Sequence, residues 1–225
     1  MDGTGNRDGN RDGGHDDRDT LGRVQFFPWL YDLVMVAADR TPIAQWRRSV
    51  VAPARGRILE IAAGTGLNFR YYGCDASVIA TDVDPAMLLR AHRRAGESRG
   101  HILLVAADAE VLPFRAGTFD EAVVGLALCT IPHPEAALLE TRRVLRAGAP
   151  VRLLEHVRGA HPLVGRLQDF LTPLWRRVAG GCRLNRRTEE TIVSSGFRLE
   201  DVRRHAHGLV LAIQARADGG QRARG

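Results

Sequence analysis

The sequence predicts an α/β fold: a largely parallel sheet with helices on both faces. The first observation is a series of short apolar runs at 57–61, 78–82, 101–106, 119–126 and 149–155, each four to eight residues long. The second is their alternation with helical patterns, at 84–94 and 134–146 above all. Strands that are apolar on both faces and alternate with helices belong to a parallel sheet covered on two sides. A third observation closes the sheet. Segments 197–203 and 208–216 read as strands joined by too few residues for a helical crossover, so they should run antiparallel to each other.

Taken in order, residues 1–19 carry six acids, three arginines and almost nothing apolar. Such a stretch cannot offset its own ordering entropy and is expected as a disordered acidic tail over 1–20. An amphipathic helix is expected over 24–38, bearing Phe26, Phe27, Trp29, Leu30, Tyr31 and Val34, and a second over 42–51. The strand at 57–61 leads into Gly64-Thr65-Gly66, which reads as strand, turn, helix. Pro85 suits the first turn of the helix at 84–94. Past the fifth strand come helical stretches at 163–179 and 186–195, then the closing strand pair and a polar end. The expected organisation is one domain over 21–216 with a second tail over 217–225.

Composition removes several classes. With 225 residues, 44% hydrophobic and 26% charged, the chain has ample material for a core. No apolar run approaches the ~20 residues that span a bilayer, and the N-terminus lacks the apolar stretch of a secretory signal. Cys74, Cys129 and Cys182 form no CxxC pair, so neither a disulfide scaffold nor a metal site is expected, and the cytoplasm is the expected compartment. All 32 basic residues besides histidine are arginine, against 26 acids, for a net charge of +6. The acidic tail holds −3 of that balance, so the body carries +9. Nucleic acid and anionic membranes are therefore open as partners, beside the plainer reading of a compositional bias.

The chemistry concentrates at strand ends. Glycines at a strand-to-helix turn let a ligand approach the backbone, at the carboxyl edge where open α/β sheets bind. A dinucleotide fingerprint would place a third glycine where Phe69 stands. Asp82 ends the second strand, 16 residues beyond Gly66, where a carboxylate can accept both hydroxyls of a ribose and would repel a 2′-phosphate. Asp108 follows the third strand, placed to accept an exocyclic amine while the next backbone N–H, that of Ala109, meets a ring nitrogen. No basic residue lies in the glycine turn, which suits a cationic ligand. None of these segments reads a phosphate backbone, so nucleic acid is not the expected partner.

Four segments carry a resemblance: LEIAAGTG at 59–66, TDVDPAML at 81–88, ADAEVLPF at 107–114 and FDEAVVGLALCTIPHPEAALLETRRVLRAGA at 119–149. Together they resemble the class I S-adenosylmethionine-dependent methyltransferases. The resemblance implies a Rossmann-like seven-stranded sheet of order 3-2-1-4-5-7-6, strand 7 antiparallel, with an N-terminal helical lid. S-adenosyl-L-methionine is the implied cofactor and S-adenosyl-L-homocysteine the product. It assigns Gly64 and Gly66 to the methionine side and adds Glu60, Ala62 and Asn68 to the cofactor-binding residues. It assigns Asp82 to the ribose and Asp108 and Ala109 to the adenine, and adds Val83, Met87, Gly125, Leu126 and Tyr31 to the cofactor-binding residues. Two departures stand out: Ala62 replaces the first glycine of the turn, and Leu145-Arg146-Ala147-Gly148-Ala149 replaces LRPGG.

A narrower resemblance, in Leu128-Cys129-Thr130, Leu154-Glu155-His156-Val157 and the stretch GGCRLNR at 180–186, is to alkyl-thiol S-methyltransferases. It implies a small-molecule thiol acceptor, from secondary metabolism or a xenobiotic. Quinone carbon, phenol and phospholipid amine acceptors stay open within the class. Outside it stand a nicotinamide-dependent oxidoreductase and a non-catalytic S-adenosylmethionine sensor, the latter suggested by Ala62. A thiol with pKa near 8.5 is already partly thiolate at neutral pH and needs only modest help. His133 and His156 end up at the active-site edge as candidates for base or thiolate partner, or else as rim histidines bonded to solvent or backbone. The acceptor residues expected are Phe27, Thr130, Phe170, Leu174 and Cys182. The apolar stripe of 163–178 reads as core packing, or as an acceptor wall or membrane-facing cap, with a kink at Pro173. Monomer and homodimer are both open, as is peripheral membrane contact.

Overall fold

The computed structural model describes residues 41–178 and 181–218. The expected tail over 1–20, the 24–38 helix, Phe27, Tyr31 and the helical lid lie outside the described residues, as does 219–225. Chain order runs α1 (Ile43–Val51), β1 (Gly56–Ile61), a 3-10 turn (Phe69–Tyr71), β2 (Ala76–Asp82), α2 (Pro85–Gly96), β3 (His101–Ala106) and β4 (Glu121–Gly125). It continues through α3 (Pro134–Val144), β5 (Pro150–His156), α4 (Pro162–Val178), α5 (Thr188–Ser194), β6 (Phe197–His205) and β7 (Val210–Ala217).

All seven strands form one sheet of order β3-β2-β1-β4-β5-β7-β6. From β3 across to β5 the pairing is parallel; β7 runs antiparallel to both β5 and β6. The chain steps outward from β1 to β3, then returns to lay β4 on the other side of β1. Strand order therefore reverses between β1 and β4, and the crevice at their carboxyl ends is where such sheets take ligands.

Alternation along the strands fills two core layers. Ile58, Val78, Ala80 and Val123 face Phe69, Tyr72 and Ala91 of α2. Their neighbours Leu59, Ile61, Val124 and Leu153 face the other way, against Leu138 of α3 and Ile192 of α5. Asp84 caps α2 by accepting the Ala86 N–H at 2.8 Å, with Pro85 in the first turn.

Two expectations change. No α-helix follows the glycine turn; the connection to β2 holds a single 3-10 turn, Phe69–Tyr71. Phe69 and Tyr72 are swallowed by the core there, and Gly73 then leads back to β2, leaving no length for regular turns. The second change is α4. Its buried positions are Gly165, Gln168 and Thr172, while Phe170 is 80% exposed, Leu163 67%, Leu174 63% and Leu167 57%. The apolar stripe points outward, so the core-packing reading fails. Polar bonds dock the helix instead: the Gln168 amide donates to the Val157 carbonyl at 3.1 Å and accepts the Gly159 N–H at 2.7 Å. Gly165 admits the Arg158 guanidinium, 2.8 Å from where a Cβ would sit, and Arg158 pairs with Asp169. The helix is continuous through Pro173, where Thr172 Oγ1 donates to the Gln168 carbonyl at 2.6 Å.

An apolar residue on a packed helix face normally stabilises, so Gln168→Leu separates the two readings of α4. Leaving the Gly159 N–H and Val157 carbonyl unpaired should cost about 2–4 kcal/mol in chemical denaturation. A neutral or stabilised variant would show that α4 does not dock through these bonds.

Candidate active site

β1 ends in a backbone that only the local contacts can hold. Ala62 has φ +49°, a left-handed conformation that costs an alanine about 1 kcal/mol relative to glycine. Gly64 (φ +57°) and Gly66 (φ +81°) follow. Space above Gly64 is open, with nothing within 4 Å of a would-be Cβ, whereas at Gly66 the Phe69 ring would lie 2.5 Å away. Gly64 is thus the open floor of the turn and Gly66 its packed hinge. The Gly64 N–H donates to Asp82 Oδ2 at 2.8 Å, and the Asp84 N–H donates to Oδ1 at 2.9 Å. Burial pushes the Asp82 carboxyl up, and those two N–H groups pull against it. Each oxygen keeps acceptor capacity for a hydroxyl donor.

Under the turn lies a buried polar cluster. Glu60, fully buried, accepts from Asn68 Nδ2 at 2.8 Å and from the Tyr72 hydroxyl at 2.7 Å. Arg47 of α1 donates to Asn68 Oδ1 at 2.8 Å. Asn68 in turn packs on Gly125, where a Cβ would meet Nδ2 at 2.9 Å. Desolvation raises the Glu60 carboxyl to about 7, against the pull of the Tyr72 and Asn68 bonds. Sequence reasoning named Glu60, Asn68 and Gly125 separately; the structure joins them, and adds Tyr72 and Arg47. Neither addition stood in a motif, and only an acid inside an apolar strand signalled that partners were needed.

Further along the rim, the Ala107 N–H donates to the Asp82 carbonyl at 3.0 Å, tying the ends of β2 and β3. Asp108 Oδ1 accepts the Glu110 N–H at 2.8 Å, and Ala109 is buried behind it. Val83 is exposed and Met87 half-buried on the same side. Glu110 Oε1 accepts the backbone N–H of His133, placing that exposed histidine at the start of α3.

After β4, Leu126 is held at φ +57°, its N–H donating to the Leu154 carbonyl at 2.6 Å. Glu155, fully buried at the end of β5, receives the Ala127 and Leu128 N–H groups on Oε1, each at 3.0 Å. Burial lifts its carboxyl to about 8. This anchor was missed as a site residue, although an acid closing an apolar strand was the available signal. His156 follows, half-buried, with Nδ1 buried and lacking a hydrogen-bond partner among the described residues; burial lowers its pKa, leaving a neutral ring at pH 7. Thr130 Oγ1 donates to the Ala127 carbonyl. Cys182 lies against the same loop, where the Arg183 N–H donates to the Cys129 carbonyl at 2.8 Å. Phe170 and Leu174 are not gathered here; they lie on the outward face of α4. No group of three or more metal-ligating side chains occurs among the described residues.

These features fit an adenosyl sulfonium. Asp82 keeps lone pairs for ribose hydroxyls, Gly64 leaves an open floor, and Asp108 stands beside a buried backbone at Ala109.

Asp82→Ala should weaken S-adenosylhomocysteine binding about 10- to 100-fold in calorimetry, since a hydrogen bond to a charged group contributes ~1.5–3 kcal/mol. Unchanged affinity would place the ribose elsewhere. Glu60 and Glu155 carry a second test. Both folded-state pKa values lie above the ordinary 4.5, so the folded chain holds protons that the unfolded chain releases. Stability should be greatest below pH ~4.5 as far as these groups go. It should fall by about 1.4 kcal/mol per pH unit for each, until pH reaches about 7 for Glu60 and about 8 for Glu155. Denaturation profiles of Glu60→Gln and Glu155→Gln should flatten in those windows; an unaltered slope refutes the assignment.

Residues 59–152 match a family described as a methyltransferase domain. Human thiol S-methyltransferase TMT1B is 27% identical over 184 residues, covering 76% of this chain and 75% of that protein. The ubiquinone/menaquinone biosynthesis C-methyltransferase UbiE of Rhizobium johnstonii is 34% identical over 151 residues, covering 62% of this chain and 58% of that protein. Among solved structures, a methyltransferase from Methanosarcina mazei described as SAM-dependent superposes with a TM-score of 0.59 at 20% identity, over 74% of this chain and 94% of that one, a likeness of fold. The sheet order, the matched domain and these relatives leave no place for the nicotinamide reading. Residues 59–152 carry the methyltransferase domain, on a sheet with the order that the resemblance implied, and S-adenosylmethionine is the cofactor.

Proposed function

We propose that this enzyme methylates the sulfur of a small-molecule thiol, from secondary metabolism or a xenobiotic, acting in the cytoplasm as a monomer or homodimer. The observation that carries this is the reach of the likeness to TMT1B, 76% of the chain against 62% for UbiE. No helix among the described residues is long and apolar enough to cross a membrane. Nucleic acid has no place in this reading.

When bound, S-adenosylmethionine supplies a methyl group activated on a sulfonium. The chain's own work is alignment, water exclusion and handling of one proton. In this reading Asp82 takes the ribose, and Asp108 with the Ala109 N–H takes the adenine. Glu60, Ala62, Gly64, Gly66 and Asn68 shape the methionine side, and Val83, Met87, Gly125 and Leu126 flank the adenosine. On the acceptor side, the neutral His156 ring accepts the thiol proton, and His133 at the α3 start stabilises the thiolate. Thr130 and Cys182 border the acceptor. A thiol asks least of such a base, because its pKa already lies near 8.5. The likeness to UbiE favours a second reading, C-methylation of a quinone-type ring.

Mass spectrometry over thiols, phenols, amines and a demethylated quinone should show methyl transfer to thiols fastest. Transfer to the quinone alone would establish the second reading. On the accepted substrate, His156→Ala and His133→Ala should each lower turnover about 100-fold or more with cofactor affinity unchanged. Wild-type rates would remove either histidine from the mechanism.

A further inference from the structure

We propose that Cys129 and Cys182 form a site of reversible oxidation, closing to a disulfide when a hydroperoxide reaches the rim beside β5. Fifty-three residues separate them in sequence, yet the fold sets them side by side. The Arg183 N–H donates to the Cys129 carbonyl at 2.8 Å, so the backbone following Cys182 is fastened to the loop after β4. Across that contact each thiol is the first influence on the proton of the other. Such closeness of the two backbones suits a disulfide, whose Cα atoms lie roughly 4.4–6.8 Å apart. Methyl transfer by in-line displacement needs neither thiol, so the mechanism leaves the pair unexplained.

The two sulfurs are unlike, in the sense that a disulfide-forming pair requires. Cys182 is half-exposed, and the neighbouring Cys129 and Trp175 draw its thiol below the ordinary value. Cys129 is buried, its Sγ donating to the Leu126 carbonyl at 3.7 Å and its thiol held up by the neighbouring Cys182, by burial and by nearby Glu155. Cys182 is therefore the attacking thiolate and Cys129 the resolving thiol. Attack of Cys182 Sγ on the peroxide breaks the O–O bond, forming a sulfenic acid and releasing hydroxide, which takes up a proton as water. Cys129 Sγ then attacks Cys182 Sγ. The S–O bond breaks, the Cys129 proton goes to the departing oxygen, and a second water leaves. Two thiols and one hydrogen peroxide thus give one disulfide and two waters, the thiols losing two electrons and the peroxide gaining them.

The cross-link would join the 126–131 loop, with Leu126 and Thr130, to the segment between α4 and α5. Its effect on turnover rests on the acceptor lying at that rim, as proposed above; formation of the bond does not. Cys74 precedes β2, at the opposite edge of the sheet, and is exposed. Replacing it by serine removes a competing thiol.

The test uses the full-length Cys74→Ser chain, titrated with hydrogen peroxide and read by intact mass and peptide mapping. Expected is a loss of two mass units, a single 129–182 cross-linked peptide, and full reversal by dithiothreitol. Cys129→Ser and Cys129→Ala should abolish the cross-link and leave Cys182 to gain oxygen. A product in which Cys182 gains oxygen while Cys129 keeps its thiol, in the parent chain, overturns the site. For the consequence, the oxidised chain should bind S-adenosylhomocysteine within twofold of the reduced chain while turning over acceptor at least threefold more slowly. A cross-linked chain with full turnover overturns the link to the acceptor rim and leaves the disulfide standing.

Discussion

A carboxyl group that never reaches solvent holds the cofactor turn in place. Glu60 sits in the middle of the sheet, and an unpartnered acid there would cost several kcal/mol. Asn68 and Tyr72 satisfy it from the segment beyond the glycine turn, and Arg47 reaches Asn68 from α1. One buried group thereby fixes four separate stretches of chain: the first helix, the first strand, the turn and its return. The strained backbone between them follows from this. Ala62 can hold φ +49° because its neighbours on both sides are pinned, and Gly125 must lack a side chain because Asn68 occupies that space.

The same device recurs around the rim. Asp82 at the end of β2 receives N–H groups from Gly64 and Asp84, and Glu155 at the end of β5 receives those of Ala127 and Leu128. In each case an acid closing an apolar strand collects donors from a loop that would otherwise wander. Loops anchored this way keep their backbone amides oriented before any ligand arrives, which is what alignment-driven catalysis requires. The cost falls on pH tolerance, because burial raises all three carboxyls, those of Glu60 and Glu155 to about 7 and about 8.

Much of the fold was legible in the sequence because its signals are local. Apolar runs of strand length, Pro85 opening a helix and the short link at 203–208 each follow from periodicity and turn chemistry, and strand order came from the motif resemblance. Asp82 and Gly64 were legible for the same reason, standing at a fixed place relative to a strand end. Contacts between distant segments were not. Tyr72 and Arg47 approach Glu60 only after folding, so no spacing announces them. α4 failed more instructively. Its pattern is amphipathic, but a period of 3.6 says only that one face differs from the other, and Gln168 and Gly165 show the polar side turned inward.

The arginine-only composition also acquires a structural sense. Arg143 binds both Glu140 oxygens and, with the same guanidinium, the Phe114 and Leu112 carbonyls. Arg216 joins Glu200 to the Gly148 carbonyl, and Arg186 caps the Ile131 and Pro132 carbonyls ahead of α3. Arg94 and Arg55 close the carbonyls of Thr65 and of Ala52 and Ala54. A lysine, with one compact ammonium, cannot span a carboxylate and two carbonyls at once. Whatever drove lysine out of the sequence, the fold now uses the five-donor fork to tie its loops. Positive charge employed in this way belongs to the architecture, and by itself it identifies no anionic partner.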